Sequence, residues 1–187
     1  MIYSLALVDT HNIAFVGLSG VGKSTIGKAF AQEIGYRFVD TDLLLKQHTG
    51  KDPQAFLDAY GETLFLEKED AVLSKIDLQK HVIATGGSAV YSKVGMAHLK
   101  KIALVIYLKD SPDNIRARVK RLDKRGIVMA GEKSMSALMT TRQALYERVA
   151  DVVFQMPFPF NVVTTVTQLK SLLYPSTALK RIVSPNP

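Results

Sequence analysis

Residues 17–24 read Gly-Leu-Ser-Gly-Val-Gly-Lys-Ser and fit the pattern G-x-x-x-x-G-K-[ST]. The apolar run 13–16 precedes this stretch, and Ile26, Phe30 and Ile34 recur every four residues after it. This setting predicts a buried strand, a glycine-rich turn and a helix. Successive backbone N–H groups in such a turn can surround a phosphate, and the helix points its positive dipole end at the anion. The stretch therefore predicts a loop that binds the phosphates of a nucleotide.

Two side chains of the loop carry specific chemistry. Lys23 is placed to reach the β and γ phosphates as a point charge, and the hydroxyl of Ser24 can ligate Mg²⁺. The alternative is a glycine-rich turn that merely opens an unrelated helix. The residues predicted to bind nucleotide here are Gly17, Ser19, Gly20, Val21, Gly22, Lys23, Ser24 and Thr25.

Length and composition indicate one globular domain. The chain has 187 residues, of which 47% are hydrophobic and 22% charged, and these values exclude a largely disordered or collagen-like chain. The net charge of +7 favours anionic partners without choosing among them. The absence of cysteine excludes disulfides, thiolate metal sites and a cysteine nucleophile, and it fits the cytoplasm. We expect no signal peptide, and the apolar stretch 102–108 is too short to span a bilayer.

Strands alternate with helices along the chain. Predicted strands are residues 13–16, 36–39, 82–84, 103–108 and 152–155. Predicted helices follow the phosphate loop, cover 62–76 and 134–149, and begin at Ser111-Pro112-Asp113. This alternation predicts an α/β fold with a central parallel sheet of about five strands between two helical layers. We expect a single domain over 1–175 and a loose tail over 176–187.

Two aspartates follow the second predicted strand, in the sequence Asp40-Thr41-Asp42. Ligands of open α/β sheets bind beyond the carboxyl ends of the strands. If this strand neighbours the first, both carboxylates lie near the phosphate loop. One could then hold the water shell of Mg²⁺, and the other could grip and deprotonate an acceptor hydroxyl. The alternative is a helix-capping aspartate.

Two charged residues fall on apolar helix faces. Glu69 lies on the face of Phe65 and Val72, and Arg142 lies on the face of Leu138 and neighbouring apolar residues. A buried charge needs a partner, so the two either pair with each other or Arg142 clamps a substrate anion. A structural ion pair, or side chains that reach the surface, are the alternatives.

Residues 116–125 contain six basic side chains. They can be a solvated helix end, a nucleic-acid patch that lacks interleaved aromatic residues, or a mobile lid that closes over ATP. The glycines at 126 and 131 suit a flexible flap, and the phosphate loop favours a lid over about 121–133.

In this order, these motifs resemble the shikimate kinase family of P-loop enzymes over about 12–155. The phosphate loop and Asp40-Thr41-Asp42 match the family motifs without departure. Stretch 61–69 matches its G-E-x-x-F-R-x-x-E helix, 86–88 its triple-glycine turn, and 142–146 its R-x-x-L-Y pattern.

The resemblance implies a P-loop NTPase fold, a substrate-binding helical region over about 41–70, and Mg²⁺-dependent transfer of the γ-phosphate of ATP to shikimate. The implied catalytic residues are Lys23, Asp42 and Arg125, with Arg118 packing on adenine and Ser24 and Asp40 at the metal. The implied acceptor-binding residues are Asp42, Glu69, Gly86, Gly87, Ser88 and Arg142, of which Arg142 contacts the shikimate carboxylate. We expect a cytoplasmic monomer with neither nucleic-acid nor membrane partners.

Three departures concern the acceptor and the lid. Leu66 replaces an arginine that helps to bind the acceptor carboxylate, Ser88 replaces a glycine, and Gly126 replaces the lid proline. Losing one bidentate arginine–carboxylate contact costs roughly a hundredfold in binding. Two alternatives to shikimate phosphorylation therefore stay open, namely a kinase for another small polyol or sugar-like acceptor and a nucleotide-binding regulator without catalysis. The net charge of +7 leaves a nucleic-acid binder as a third alternative.

Overall fold

The computed structural model describes residues 12–118 and 127–175. Its strands are β1 (Asn12–Val16), β2 (Arg37–Asp40), β3 (His81–Ala84), β4 (Ala103–Lys109) and β5 (Val152–Gln155). Its helices are α1 (Lys23–Ile34), α2 (Thr41–Thr49), α3 (Pro53–Leu73), α4 (Lys93–Ile102), α5 (Pro112–Arg118), α6 (Met135–Val149) and α7 (Val162–Leu173). A 3-10 turn covers Ala89–Tyr91.

The five strands form one parallel sheet in the order β2-β3-β1-β4-β5, and helices flank it. This confirms the predicted α/β architecture. The registers place Ile13 of β1 beside Val82 of β3 and Leu104 of β4. Strand β2 does not neighbour β1, as the predicted placement of the two aspartates had required, because β3 lies between them. All carboxyl ends still meet at one edge of the sheet, which brings Asp40 to the phosphate loop.

The main core surrounds the central strand. Ile13, Ala14, Phe15 and Val16 of β1 are all fully buried, as a strand covered on both faces requires. Helix α1 approaches the sheet at Gly27, where a Cβ atom would lie 2.6 Å from the ring of Phe38. Over the ranges 12–118 and 127–175, no helix combines the length and apolar character that crossing a membrane requires.

The chain forms three helices beyond those predicted, namely α2, α4 and α7. Helix α3 begins at Pro53 rather than near Glu62, and it is kinked at Gly61, whose φ of 78° interrupts the helical path. Elsewhere the predicted ends hold closely: α1 ends at Gly35 in a left-handed conformation, and Ser134 caps α6 by accepting from the N–H of Ala137.

A second, smaller apolar cluster joins α2 and α3 to the segment just before α6. Its buried members are Leu45, Phe56, Phe65 and Val128, and Leu66 packs against them. This cluster fixes the position of the two helices that carry the predicted acceptor side.

The packing of α4 on α3 can be tested at Gly95 of α4. A Cβ at Gly95 would lie 2.5 Å from Cβ of Leu73, which cannot move without shifting the backbone of α3. A Gly→Ala change inside a helix normally stabilises the folded protein by about 1 kcal/mol, whereas overpacking destabilises it by about 1–3 kcal/mol. We expect Gly95→Ala to lower the free energy of unfolding by about 1–2 kcal/mol in urea denaturation.

The matched control is Val94→Ala on the same helix, at a side chain that is 61% exposed. It is expected to change the free energy of unfolding by less than about 0.5 kcal/mol. A Gly95→Ala variant as stable as the parent would contradict the close packing of α3 and α4.

Candidate active site

The loop between β1 and α1 takes the path that the phosphate-binding motif predicts. Gly17, Gly20 and Gly22 have φ values of 146°, 85° and 112°, which favour glycine. A Cβ at Gly17 would also lie 2.8 Å from the carbonyl oxygen of Leu108 on β4. Because α1 begins at Lys23, the N–H groups of its first turn lie at the end of this loop.

Lys23 is almost fully buried at 7% exposure. Its Nζ donates to the carbonyl oxygens of Gly17 and Leu18 at 2.6 and 3.0 Å. These bonds offset the cost of burying the ammonium and hold it against the loop. The geometry places a positive charge where the loop N–H groups converge.

Asp40 connects the loop to α2. Its Oδ2 accepts a 2.6 Å hydrogen bond from Oγ of Ser24, and its Oδ1 accepts from the backbone N–H of Asp42 at 3.0 Å. Asp40 is the N-cap of α2. The capping interpretation of this aspartate is therefore confirmed, and its second oxygen lies against the hydroxyl of Ser24, where its role at a metal stays a prediction.

A single cavity of about 1000 Å³ runs from the phosphate loop to the acceptor side. The predicted residues that line it are Ser19, Gly20, Gly22, Lys23, Ser24, Thr25, Asp42 and Gly87. Lining residues that the sequence reasoning missed include Lys46, Gln54, Asn114, Phe158 and Phe160. The proline- and phenylalanine-rich stretch after β5, at the carboxyl edge of the sheet, was the available signal for the last two.

Gly86 and Gly87 lie beside the buried charges, and Gly87 also lines the cavity. A Cβ at Gly86 would meet Oε1 of Glu69 and lie 3.0 Å from Oδ1 of Asp42. The N–H of Gly86 is already used, because it donates to Oγ1 of Thr41 at 3.1 Å. The lack of a side chain at Gly86 therefore leaves room for the two carboxylates, and its place in the acceptor site stays a prediction.

Gly87 lies between the phosphate loop and Arg142. A Cβ at Gly87 would lie 2.6 Å from Oγ of Ser19 and 3.2 Å from Nη1 of Arg142. Its carbonyl oxygen accepts a 2.6 Å hydrogen bond from the hydroxyl of Tyr146. Burial raises the pKa of Tyr146, so this hydroxyl stays a donor over the accessible pH range.

Arg142 is 2% exposed and lies behind the cavity rather than on its wall. Its Nη2 donates to the carbonyl oxygen of Val128 at 2.6 Å, and its guanidinium lies 5.4 Å from the ring centre of Tyr91. Its Nε is buried without a hydrogen-bond partner. Of the alternatives left open for these two residues, the direct ion pair is not formed among the described residues, and Nη2 of Arg142 bonds to a backbone carbonyl.

Glu69 is a buried carboxyl with an altered acidity. Burial raises its pKa to about 7, and the charge of Asp42 adds to this, whereas Ser88, Arg142 and Lys23 oppose it. Its Oε2 has no hydrogen-bond partner. Ser88, the residue that replaces the family glycine, therefore contacts Glu69 and is itself buried.

The described end of the predicted lid, residues 127–133, is bonded to α3. The carboxylate of Glu62 accepts from the N–H groups of Met129 and Ala130 at 2.5 and 2.9 Å. Arg125 lies outside the described residues, as does the side chain of Arg118, the last residue of α5. Their predicted roles stay predictions.

The shifted pKa of Glu69 predicts a pH-dependent stability. The folded protein retains the proton up to a pKa of about 7, whereas the unfolded chain loses it near 4.5. Stability therefore falls as pH rises from about 4.5 to about 7, by up to about 3 kcal/mol for a shift of this size. We expect Glu69→Gln to remove most of this loss in urea denaturation measured at pH 5 and pH 7.5.

Glu67→Gln, at an exposed position of the same helix, is the control and is expected to keep the pH dependence of the parent. An equal pH dependence in the parent and in Glu69→Gln would contradict the assignment to Glu69.

Comparisons with known proteins agree with this geometry. A family model described as shikimate kinase matches residues 19–160. The shikimate kinase of Actinobacillus pleuropneumoniae serotype 5b (strain L20) is 33% identical over 152 residues, which is 80% of this chain and 88% of that protein. The shikimate kinase of Aliivibrio fischeri (strain ATCC 700601 / ES114) is 35% identical over 150 residues, or 79% of this chain and 87% of the relative.

Solved structures give the same result. The shikimate kinase from Acinetobacter baumannii in complex with shikimate superposes with a TM-score of 0.78 at 26% identity, over 93% of this chain and 96% of that one. The shikimate kinase from Bacteroides thetaiotaomicron superposes with a TM-score of 0.69 at 25% identity, over 88% and 98% of the two chains. Together with the phosphate loop and the carboxylates beside it, these matches establish that the chain belongs to the shikimate kinase family.

Proposed function

We propose that this protein is a shikimate kinase, which transfers the γ-phosphate of ATP to a hydroxyl of shikimate. One observation carries the proposal: a single cavity is lined both by Lys23 and its loop and by Asp42. A phosphoryl donor and a hydroxyl acceptor can therefore bind side by side. Phosphoryl transfer needs this juxtaposition most, because its catalysis is mainly positioning and charge stabilisation.

The loop end of the cavity would hold the phosphates. The N–H groups around Gly20 and Gly22 and at the start of α1 supply donors, and Lys23 supplies a full positive charge. Because Lys23 is held by backbone carbonyls, its charge is already in place before the phosphoryl group develops charge in the transition state.

The residues present fit a magnesium ion. Ser24 and Asp40 offer a hydroxyl and a carboxylate 2.6 Å apart, which are hard oxygen donors. Within 12–118 and 127–175, no cluster of three metal-ligating side chains occurs. One or two protein oxygens suffice for Mg²⁺, which takes its other ligands from phosphate and water. When bound, this ion would neutralise charge on the phosphates.

The acceptor end is proposed to centre on Asp42. Asp42 lines the cavity on the first turn of α2, and Gly87, beside Ser19 of the loop, lines the same cavity. Asp42 would accept the proton of the attacking hydroxyl, or at least orient that hydroxyl toward the phosphorus. Glu69, Ser88 and Arg142 would act from behind Gly86 and Gly87 by setting the charge of the wall.

The lid roles follow from the family resemblance. Arg125 would close onto the transferring phosphoryl group, and Arg118 would pack on adenine. Asn114 of α5 and Phe160 after β5 both line the cavity, and Phe160 lies against Gly22 of the phosphate loop. An adenine ring placed there would meet an aromatic surface.

The alternatives find less support. A non-catalytic regulator or a kinase for another polyol rests on Leu66 alone, while the relatives named above are all shikimate kinases. The nucleic-acid alternative rests on the basic segment, of which Arg116 pairs with Asp113 at 3.1 Å. We further propose a monomer that acts in the cytoplasm, which the lack of cysteine supports.

Lys23→Ala tests the phosphate loop. Removing the preorganised charge should lower kcat by about 100-fold to 1000-fold, because a single preorganised donor contributes this much to transition-state stabilisation. The measurement is ADP formation with shikimate, run beside a panel of other hydroxy acids, polyols and sugars.

The control is Lys28→Ala, an exposed residue on the same helix, and we expect it to keep the parental rate. An enzymatic function would be contradicted if no compound of the panel led to ADP formation and if Lys23→Ala left the background rate of ADP formation unaltered.

Asp42→Asn tests the acceptor end. The amide keeps the size of the side chain but cannot take a proton, so kcat should fall by about 100-fold or more while KM for ATP changes little. Steady-state kinetics with both substrates decide it, with the exposed Asp77→Asn as control. A variant with parental kcat would remove Asp42 from the catalytic step.

A further inference from the structure

Among the described residues, neither of the two arginines that the family pattern places around the acceptor carboxylate lines the cavity, because Leu66 stands at one position and Arg142 is buried at the other. Leu66 packs against the cluster of Phe56, Phe65 and Val128, so no cation replaces the missing arginine there. Arg142 is buried behind the wall, and one of its amino groups already bonds to Val128. With Leu66 in place of the other arginine, an acceptor carboxylate has one cationic partner fewer than in the family pattern.

Lys46 supplies a cation on the cavity wall. Among the described residues that line the cavity, the positively charged side chains are Lys23 and Lys46. Lys23 is bound to the carbonyls of the phosphate loop at the nucleotide end. Lys46 follows Asp42 by four residues on α2, so the two side chains lie on one face of that helix.

The ammonium of Lys46 is held by an exchangeable partner. Its Nζ lies 2.8 Å from Oδ1 of Asp52, and the two side chains are 49% and 67% exposed. A pair this exposed is worth about 0–1 kcal/mol, so exchanging Asp52 for a substrate carboxylate costs little. Asp52 also lines the cavity.

We propose that Lys46 binds the carboxylate of the acceptor and takes over the task of the arginine that Leu66 replaces. This inference rests on the proposed function. It makes Lys46 a specificity-determining residue for acidic acceptors, with Asp52 as its intramolecular competitor. Lys46 then strengthens acceptor binding, and Asp52 weakens it. Two residues that only support the fold would not affect acceptor affinity in opposite directions.

Steady-state kinetics on the full chain with Mg²⁺, ATP and shikimate test the proposal. Lys46→Met keeps the length of the side chain but removes the charge, and it should raise KM for shikimate about twofold to fivefold, as for a partly exposed ion pair. Both kcat and KM for ATP should stay within about twofold, because the contact is the same in the ground and transition states.

Asp52→Asn should lower KM for shikimate, because it removes both the competitor and a negative charge from the wall. Asn is as good an N-cap as Asp, and the Asp52 side chain makes no capping hydrogen bond to α3, so the helix should be retained. Lys51→Met is the matched control, since Lys51 is exposed and does not line the cavity. It should leave KM for shikimate unchanged.

The outcomes separate this inference from the proposed function. An unchanged KM for shikimate in Lys46→Met, or a rise in KM shared equally by ATP, would overturn the role of Lys46 and leave shikimate kinase activity standing. A raised KM for shikimate in Asp52→Asn would overturn the competition. No shikimate turnover by the parent would overturn the proposed function, and the inference with it.

Discussion

The close approach of the phosphate loop to β4 is the constraint on which the site depends. The backbone at Gly17 passes so near the carbonyl of Leu108 that a side chain has no room there. This contact fixes where the loop leaves the sheet, and hence where α1 starts and where Lys23 lies. Since Ser24 on α1 bonds to Asp40 at the end of β2, the same constraint locates the carboxylates as well. The geometry of the site is thus set by backbone packing at the carboxyl edge of the sheet.

Much of the fold was predictable because its signals are local. The run before Gly17, the four-residue spacing after it and the capping Ser134 each specify an element without reference to the rest of the chain. Helix α7 was missed because its first turns are rich in Val and Thr, which have low helix propensity, and its packing stabilises it instead. The place of β3 between β1 and β2 was also out of reach, because strand order depends on contacts between distant segments.

The candidate site divides in the same way. The phosphate loop and Asp40 were identified because backbone-driven chemistry leaves a contiguous motif. The arrangement of Glu69 and Arg142 was not, because both side chains lie on apolar faces and the sequence cannot say which neighbour satisfies each of them. The structure gives each a different partner, Ser88 for Glu69 and the carbonyl of Val128 for Arg142. Cavity residues such as Lys46 and Phe160 carry no motif at all, and only the folded chain brings them together.

The two hydrogen bonds that Glu62 accepts from Met129 and Ala130 hold this segment against α3. Pulling this segment away from α3 would break two hydrogen bonds to a carboxylate and expose Val128, which is fully buried in the small apolar cluster. Met129 and Ala130 are therefore held against α3 at this point of the chain. Because Arg142 bonds to the carbonyl of the neighbouring Val128, the guanidinium beside Gly87 is tied through this segment to α3 as well.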